Sequence, residues 1–198
     1  MNRFFILILL ILGGLSQASA QFSLQTQYHN HLNNSDEASS WPAQSMIEGS
    51  AHYWTRLKNY RLEFYPGILL QAHQLQENGS HLNLGASLPI AFYPLDFVND
   101  CDCPTFSKNA FWFQKGFFIR LTPTWSTRIS DTSSDAYDQI LGAGIALGLD
   151  FGVSDLITIS PIAGYNHLSS LSASDVTVSS LHFGVSLLFR NDYRKRYR

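Results

Sequence analysis

Two-residue alternation constrains this chain more than any other feature. Between Leu141 and Phe151, one set of alternate positions holds Leu141, Ala143, Ile145, Leu147, Leu149 and Phe151. The intervening set holds Gly142, Gly144, Ala146, Gly148 and Asp150. Successive side chains of a β-strand point to opposite sides, so this is a strand with one apolar face and one small or polar face. The pattern returns at Tyr60–Gln71, Leu82–Tyr93, Phe117–Ser126 and Ser180–Phe189. It is weaker at Ile47–Leu57 and Ile157–Tyr165, and weakest at Phe22–Tyr28. Pro66, Pro89, Pro123 and Pro161 fall inside these segments, where each removes a ladder donor and calls for a bulge or a strand end. With Phe22–Tyr28 counted there are eight strands, the even number a closed antiparallel barrel requires.

The alternation leaves open which face meets water. Charged residues make up 14% of the chain and aromatic residues 14%, whereas a soluble domain carries about 25% charge. Low charge with many rings fits a barrel whose outside meets lipid and whose rims carry aromatic girdles. The beginning of the chain agrees. Arg3 supplies a positive start, Phe4–Leu12 an apolar run too short to span a bilayer, and Ala18-Ser19-Ala20 a cleavage site, the pattern of a secretory signal. The expected organisation is a cleavable signal peptide at 1–20, an all-β, closed, up-and-down antiparallel transmembrane barrel at 21–190, and a basic tail at 191–198. After loss of Arg3, 12 Lys and Arg face 15 Asp and Glu, which argues against nucleic-acid binding. A soluble secreted β-barrel or sandwich is the alternative fold.

If Phe22–Tyr28 starts at the periplasmic side, the short links Lys58-Asn59 and Gly152–Asp155 are periplasmic. The longer links Gln74–Ser80, Ser130–Ala136 and Leu168–Asp175 are then extracellular, as such barrels prefer. The first extracellular loop is expected at His29–Met46. The link Val98–Gln114 breaks the rule, being long on the periplasmic side. It carries Cys101, Cys103 and the run Phe111-Trp112-Phe113. It is a candidate girdle segment or a dock for a periplasmic partner. In an oxidising compartment the two cysteines suggest a disulfide, though the ring they would close is very small.

The last strand reads His182-Phe183-Gly184-Val185-Ser186-Leu187-Leu188-Phe189. It resembles the C-terminal insertion signal of outer-membrane barrels: polar, any, Gly, any, any, apolar, any, aromatic. His182, Gly184, Leu187 and Phe189 occupy the defined positions, and only the tail Arg190–Arg198 departs from the usual aromatic ending. With the leader and the strands, the chain resembles small eight-stranded bacterial outer-membrane barrels. The resemblance implies insertion by the barrel-assembly machinery and contact with outer-membrane lipid. It implies no active site, because one architecture serves many functions.

Alternation assigns Glu48, His52, Arg56, Arg61, Glu63, Arg120 and Asp150 to the lumen. An eight-stranded barrel is only wide enough for side chains to fill, so these charges are expected to pair as a structural plug, with a polar conduit as the alternative. His167-Leu168-Ser169 resembles the His-x-Ser of some eight-stranded lipid A deacylases, in which His is the base and Ser the nucleophile. Ser170 stands where those enzymes carry Asn, and Asp175 is the nearest carboxylate. The tail from Arg190 to Arg198 could meet anionic headgroups. No metal or cofactor is expected. The leading expectation is a non-enzymatic structural or interaction barrel in the outer membrane. A narrow channel and a lipid A-modifying hydrolase are the alternatives.

Overall fold

The computed structural model describes residues 21–32, 43–57, 60–75, 80–95, 116–129, 139–154, 156–171 and 177–189. They form a closed barrel of eight antiparallel strands. These are β1 (Phe22–Leu32), β2 (Ala43–Tyr53, continuing as Thr55–Leu57), β3 (Leu62–Phe64 and Gly67–Leu75) and β4 (Ser80–Ser87 and Ile90–Phe92). They continue with β5 (Phe117–Arg128), β6 (Gln139–Leu149, with Phe151–Gly152), β7 (Ile157–Ser170) and β8 (Thr177–Phe189). Each strand pairs with its sequence neighbour, and β1 pairs with β8 to close the ring, from Phe22 opposite Phe189 to Leu32 opposite Ser179.

The registers fix the stagger. Following lateral partners from Arg128 leads through Asn83, Gln71, Glu48, Gln27, Gly184, Ile162 and Gly148 to Phe118. The path returns to β5 ten residues from its start. Ten residues of rise over eight strand spacings tilt the strands by about 40° from the barrel axis.

Alternation along each strand divides outside from inside. Outward positions hold apolar side chains that stay exposed, such as Leu147 at 52%, Leu121 at 53% and Phe183 at 59%. Inward positions hold Gln, Ser, His, Glu, Asn and Arg, most of them buried. This is the reverse of a soluble domain, and it suits a barrel with lipid outside and side chains filling its lumen.

Four of the eight strands are interrupted, all toward the end where Phe22 and Phe189 lie. Tyr65-Pro66 splits β3 and Leu88-Pro89 splits β4. Trp54 and Asp150 interrupt β2 and β6. A proline cannot donate, but its carbonyl still accepts. Pro66 accepts from the Tyr53 amide at 2.9 Å, Pro89 from Tyr65 at 2.8 Å, and Pro123 from Leu88 at 3.1 Å. Pro123 and Pro161 stay within β5 and β7 with their rings exposed on the outside.

Three expectations need correction. The loop read at His29–Met46 is shorter, because β1 runs on to Leu32 and β2 begins at Ala43. The link read from Leu168 starts later, because β7 continues to Ser170. Arg61 is not within a strand: it sits in the β2–β3 turn with φ of 54°, and β3 starts at Leu62. The expectations for the leader at 1–20, for Cys101 and Cys103, for the 98–114 link and for the tail at 191–198 fall outside the described residues.

Candidate functional site

The lumen is the only place where the described carboxylates, Glu48, Glu63 and Asp150, are found. Toward the end bearing Phe22 and Phe189 it is filled by Trp54, Tyr65, Tyr93 and Phe118, packed with Ala91, Ala146, Ile162 and Leu188. The strand interruptions lie at this level, where large rings must fit a narrow interior.

Glu63 is fully buried among these rings. Its Oε2 accepts from Trp54 Nε1 at 2.8 Å, from the Tyr65 hydroxyl at 2.7 Å and from the Tyr93 hydroxyl at 3.1 Å. Tyr93 has one proton, and its shorter contact, 2.8 Å, is to Asp150 Oδ2. Asp150 Oδ1 accepts from Ser160 at 2.6 Å. Arg56, opposite Glu63 in the ladder, places its Nε 3.6 Å from Glu63 Oε1. Arg120 donates to Gln25 Oε1 at 2.7 Å. Its guanidinium lies 5.1 Å from the Tyr65 ring centre and 5.0 Å from that of Phe118. Partnered in this way, buried charge is tolerated. Bonds to a charged acceptor contribute about 1.5–3 kcal/mol each.

Further along the lumen the filling is amide and imidazole. Glu48 accepts from Gln71 Nε2 at 3.0 Å, and Gln71 Oε1 accepts from the Ser126 hydroxyl at 3.1 Å. Asn83 and His73 meet at 3.1 Å, and His52 and Ser87 at 2.9 Å. Of the lumen residues singled out in the sequence, Glu48, His52, Glu63, Arg120 and Asp150 are buried inside. Arg56 is partly covered, and Arg61 stands at the turn.

His29, His31, His73, His81 and His182 were missed, and all are buried inward. The first four lie just beyond the strand limits that alternation suggested. His182 stands on the polar face of the last alternating segment and within the insertion signal, outside the set of charged lumen candidates. The signal for β1 was present, because the inward series Gln25, Gln27, His29, His31 continues without a break in phase.

His167 and Ser169 both lie on the outward side of β7, with Leu168 buried between them. His167 Nδ1 lies 3.1 Å from Ser179 Oγ on β8, and Ser179 also accepts from the Tyr165 hydroxyl at 2.5 Å. Since the described carboxylates all face the lumen, none orients His167 among the described residues. In β8, His182 faces inward while Leu187 and Phe189 face outward, and Phe189 stacks on Phe22 with ring centres 4.8 Å apart. A Cβ at Gly184 would lie 2.4 Å from the Thr26 carbonyl oxygen, so that position requires glycine.

No protein-family model and no curated protein matches the chain. Solved structures do. Neisserial surface protein A is 14% identical with a TM-score of 0.46, over 85% of this chain and 97% of that one. The N-terminal β-barrel domain of Pseudomonas aeruginosa OprF is 11% identical with a TM-score of 0.45, over 87% of this chain and 100% of that one. Ail, the attachment invasion locus protein of Yersinia pestis, is 11% identical with a TM-score of 0.40, over 87% and 100%. The chain itself is a closed eight-stranded antiparallel barrel. Its inverted polarity, with an apolar belt outside and partnered polar groups within, suits a lipid surrounding. No helix among the described residues is long and apolar enough to cross a membrane.

Proposed function

We propose that this chain is a structural or interaction barrel of the bacterial outer membrane, with a lumen sealed by its own side chains. The carrying observation is Glu63, fully buried and accepting from Trp54, Tyr65 and Tyr93. Through Tyr93, Asp150 and Ser160 the same cluster reaches β6 and β7, so five strands are tied together across the interior. A water-filled path would have to break several charge-assisted bonds at once. Contacts with partners then belong to the links at the end opposite Phe22 and Phe189. That end is extracellular if short turns are periplasmic. The signal in β8, carried by His182, Gly184, Leu187 and Phe189, is the element the barrel-assembly machinery would read. The arrangement of His167 toward Ser179 gives a hydrolase no support.

The test is reconstitution of the folded protein in planar bilayers and in vesicles of outer-membrane lipid. The expected result is a silent bilayer and no lipid turnover. Reproducible single-channel steps would overturn the sealed barrel. Wild-type acyl hydrolysis lost in Ser169→Ala would overturn the non-enzymatic reading.

A further inference from the structure

The registers place five lumen side chains in one lateral row. His182 on β8 lies opposite His29 on β1, His29 opposite Met46 on β2, Met46 opposite His73 on β3, and His73 opposite His81 on β4. All five are buried inward. We propose that the His182–His29–Met46 end of this row is a binding site for a soft transition-metal ion, copper(I), above the sealed part of the lumen.

Four observations carry the assignment. The His29 and His182 rings stand 5.1 Å apart, centre to centre. His29 Nε2 and His182 Nδ1 are buried without a hydrogen-bond partner, a condition that costs about 1–3 kcal/mol per group and that coordination removes. His29 turns its other nitrogen, Nδ1, toward Ser180 Oγ at 3.4 Å, and a metal-bound imidazole commonly uses its second nitrogen in this way. Finally, the four links joining the strands at this end hold Asp36, Glu37, Glu77, Asp131, Asp135, Asp138 and Asp175 and no Lys or Arg. A surplus of carboxylates in these links favours cations over anions, and Arg128 is a cation within electrostatic range of His73 and His81.

The donor set selects the metal. Among the described residues no three His, Cys, Asp or Glu side chains are arranged to hold an ion; Met46, buried inward and laterally opposite His29, offers a thioether as the third donor of a centre on His29 and His182. Thioether selects copper(I), whereas zinc and calcium favour harder donors. Glu48 lies two residues from Met46 on the same strand face, one layer away. Arg120, within electrostatic range of His182, is engaged by Gln25, Tyr65 and Phe118. His73 and His81, stacked 4.6 Å apart, extend the row beyond the site.

The test is titration of the folded barrel in detergent with copper(I), against a chromogenic competitor under reducing conditions. The probes are wild type, Met46→Leu, His29→Gln and His182→Gln. Wild type is expected to retain one copper(I) per barrel. Each His variant should weaken binding by more than the ~10–100-fold typical of losing an outer-shell partner, and Met46→Leu should weaken copper(I) while leaving the mobility shift intact. No retention by wild type, or retention unchanged in both His variants, overturns the site. Retention lost in the His variants but unchanged in Met46→Leu overturns the copper assignment. X-ray absorption of the loaded wild type requires no variant to fold. A sulfur neighbour beside nitrogen supports the centre, and a purely nitrogen–oxygen shell refutes it. The outcome is independent of conductance, so it can fail without touching the sealed-barrel reading.

Discussion

Glu63→Gln is the most informative substitution in the sealed region. The amide keeps the shape of the carboxylate and one oxygen, which can still accept from Trp54 and Tyr65. Those two bonds, 2.8 and 2.7 Å in the native barrel, become neutral. Neutral bonds contribute about 0.5–1.5 kcal/mol and bonds to a charged group about 1.5–3, so the pair loses about 2 kcal/mol. Tyr93 retains Asp150, its shorter partner, and contributes little to the loss. Arg56, 14% exposed and 3.6 Å from Glu63, then faces an amide instead of a charge. Breaking a fully buried pair costs about 3–5 kcal/mol, so this partly exposed one should add about 1. The expected destabilisation is about 3 kcal/mol. Glu63→Ala should cost more, because it removes the oxygen that accepts from Trp54 and Tyr65 outright. The assay is urea unfolding in lipid vesicles followed by tryptophan emission, with the gel-mobility shift measured in parallel. A Glu63→Gln barrel within about 0.5 kcal/mol of wild type, or an alanine variant no weaker than the glutamine one, would refute the argument that this carboxylate anchors the plug.

Other outcomes follow from single contacts. A Cβ at Gly148 would come 2.2 Å from Phe118 Cζ, so Gly148→Val should cost about 1–3 kcal/mol by overpacking, with recovery when Phe118→Leu is added. That pair is read by urea midpoints. At the closing seam, Phe22 and Phe189 stack at 4.8 Å, and a double-mutant cycle to alanine should return a coupling of about 0.5–1.5 kcal/mol. A coupling near zero would mean that the seam does not use the rings. Leu147 is 52% exposed on the outer wall, and Leu147→Arg should cost about 2–4 kcal/mol in a bilayer. If lipid does not cover that face, the same variant should fold as well as wild type.

The division into an apolar outside and a polar inside was legible because strand geometry has a period of two. Every alternating segment read from the sequence has the observed phase, from Ile47 and Leu57 outward to Gly184 and Leu188 inward. Strand ends were not legible, because they depend on where partners stop. Alternation alone ends the segment from Phe22 at Tyr28, yet eleven register pairs with β8 carry it to Leu32. The His–Met row was hidden for a related reason. Its members come from five strands, and only closure of the barrel brings His182 onto one lateral line with Met46 and His81. The interruptions in β3 and β4 were signalled by Pro66 and Pro89. Those at Trp54 and Asp150 carry no local signal, since they follow from fitting rings across the interior.

The pairing of β1 with β8 also has a consequence for assembly. Ser23 and Ser186 share a hydrogen bond at 2.8 Å across 163 residues of chain, so the partner of the first strand is the last strand to emerge. Until then β1 presents an open edge, the feature that invites wrong pairing, and no local turn can shorten the search. Ring closure across so long a loop is intrinsically slow. Of the eight inter-strand seams, the one between Phe22 and Phe189 is therefore the step at which an external catalyst would shorten the wait most.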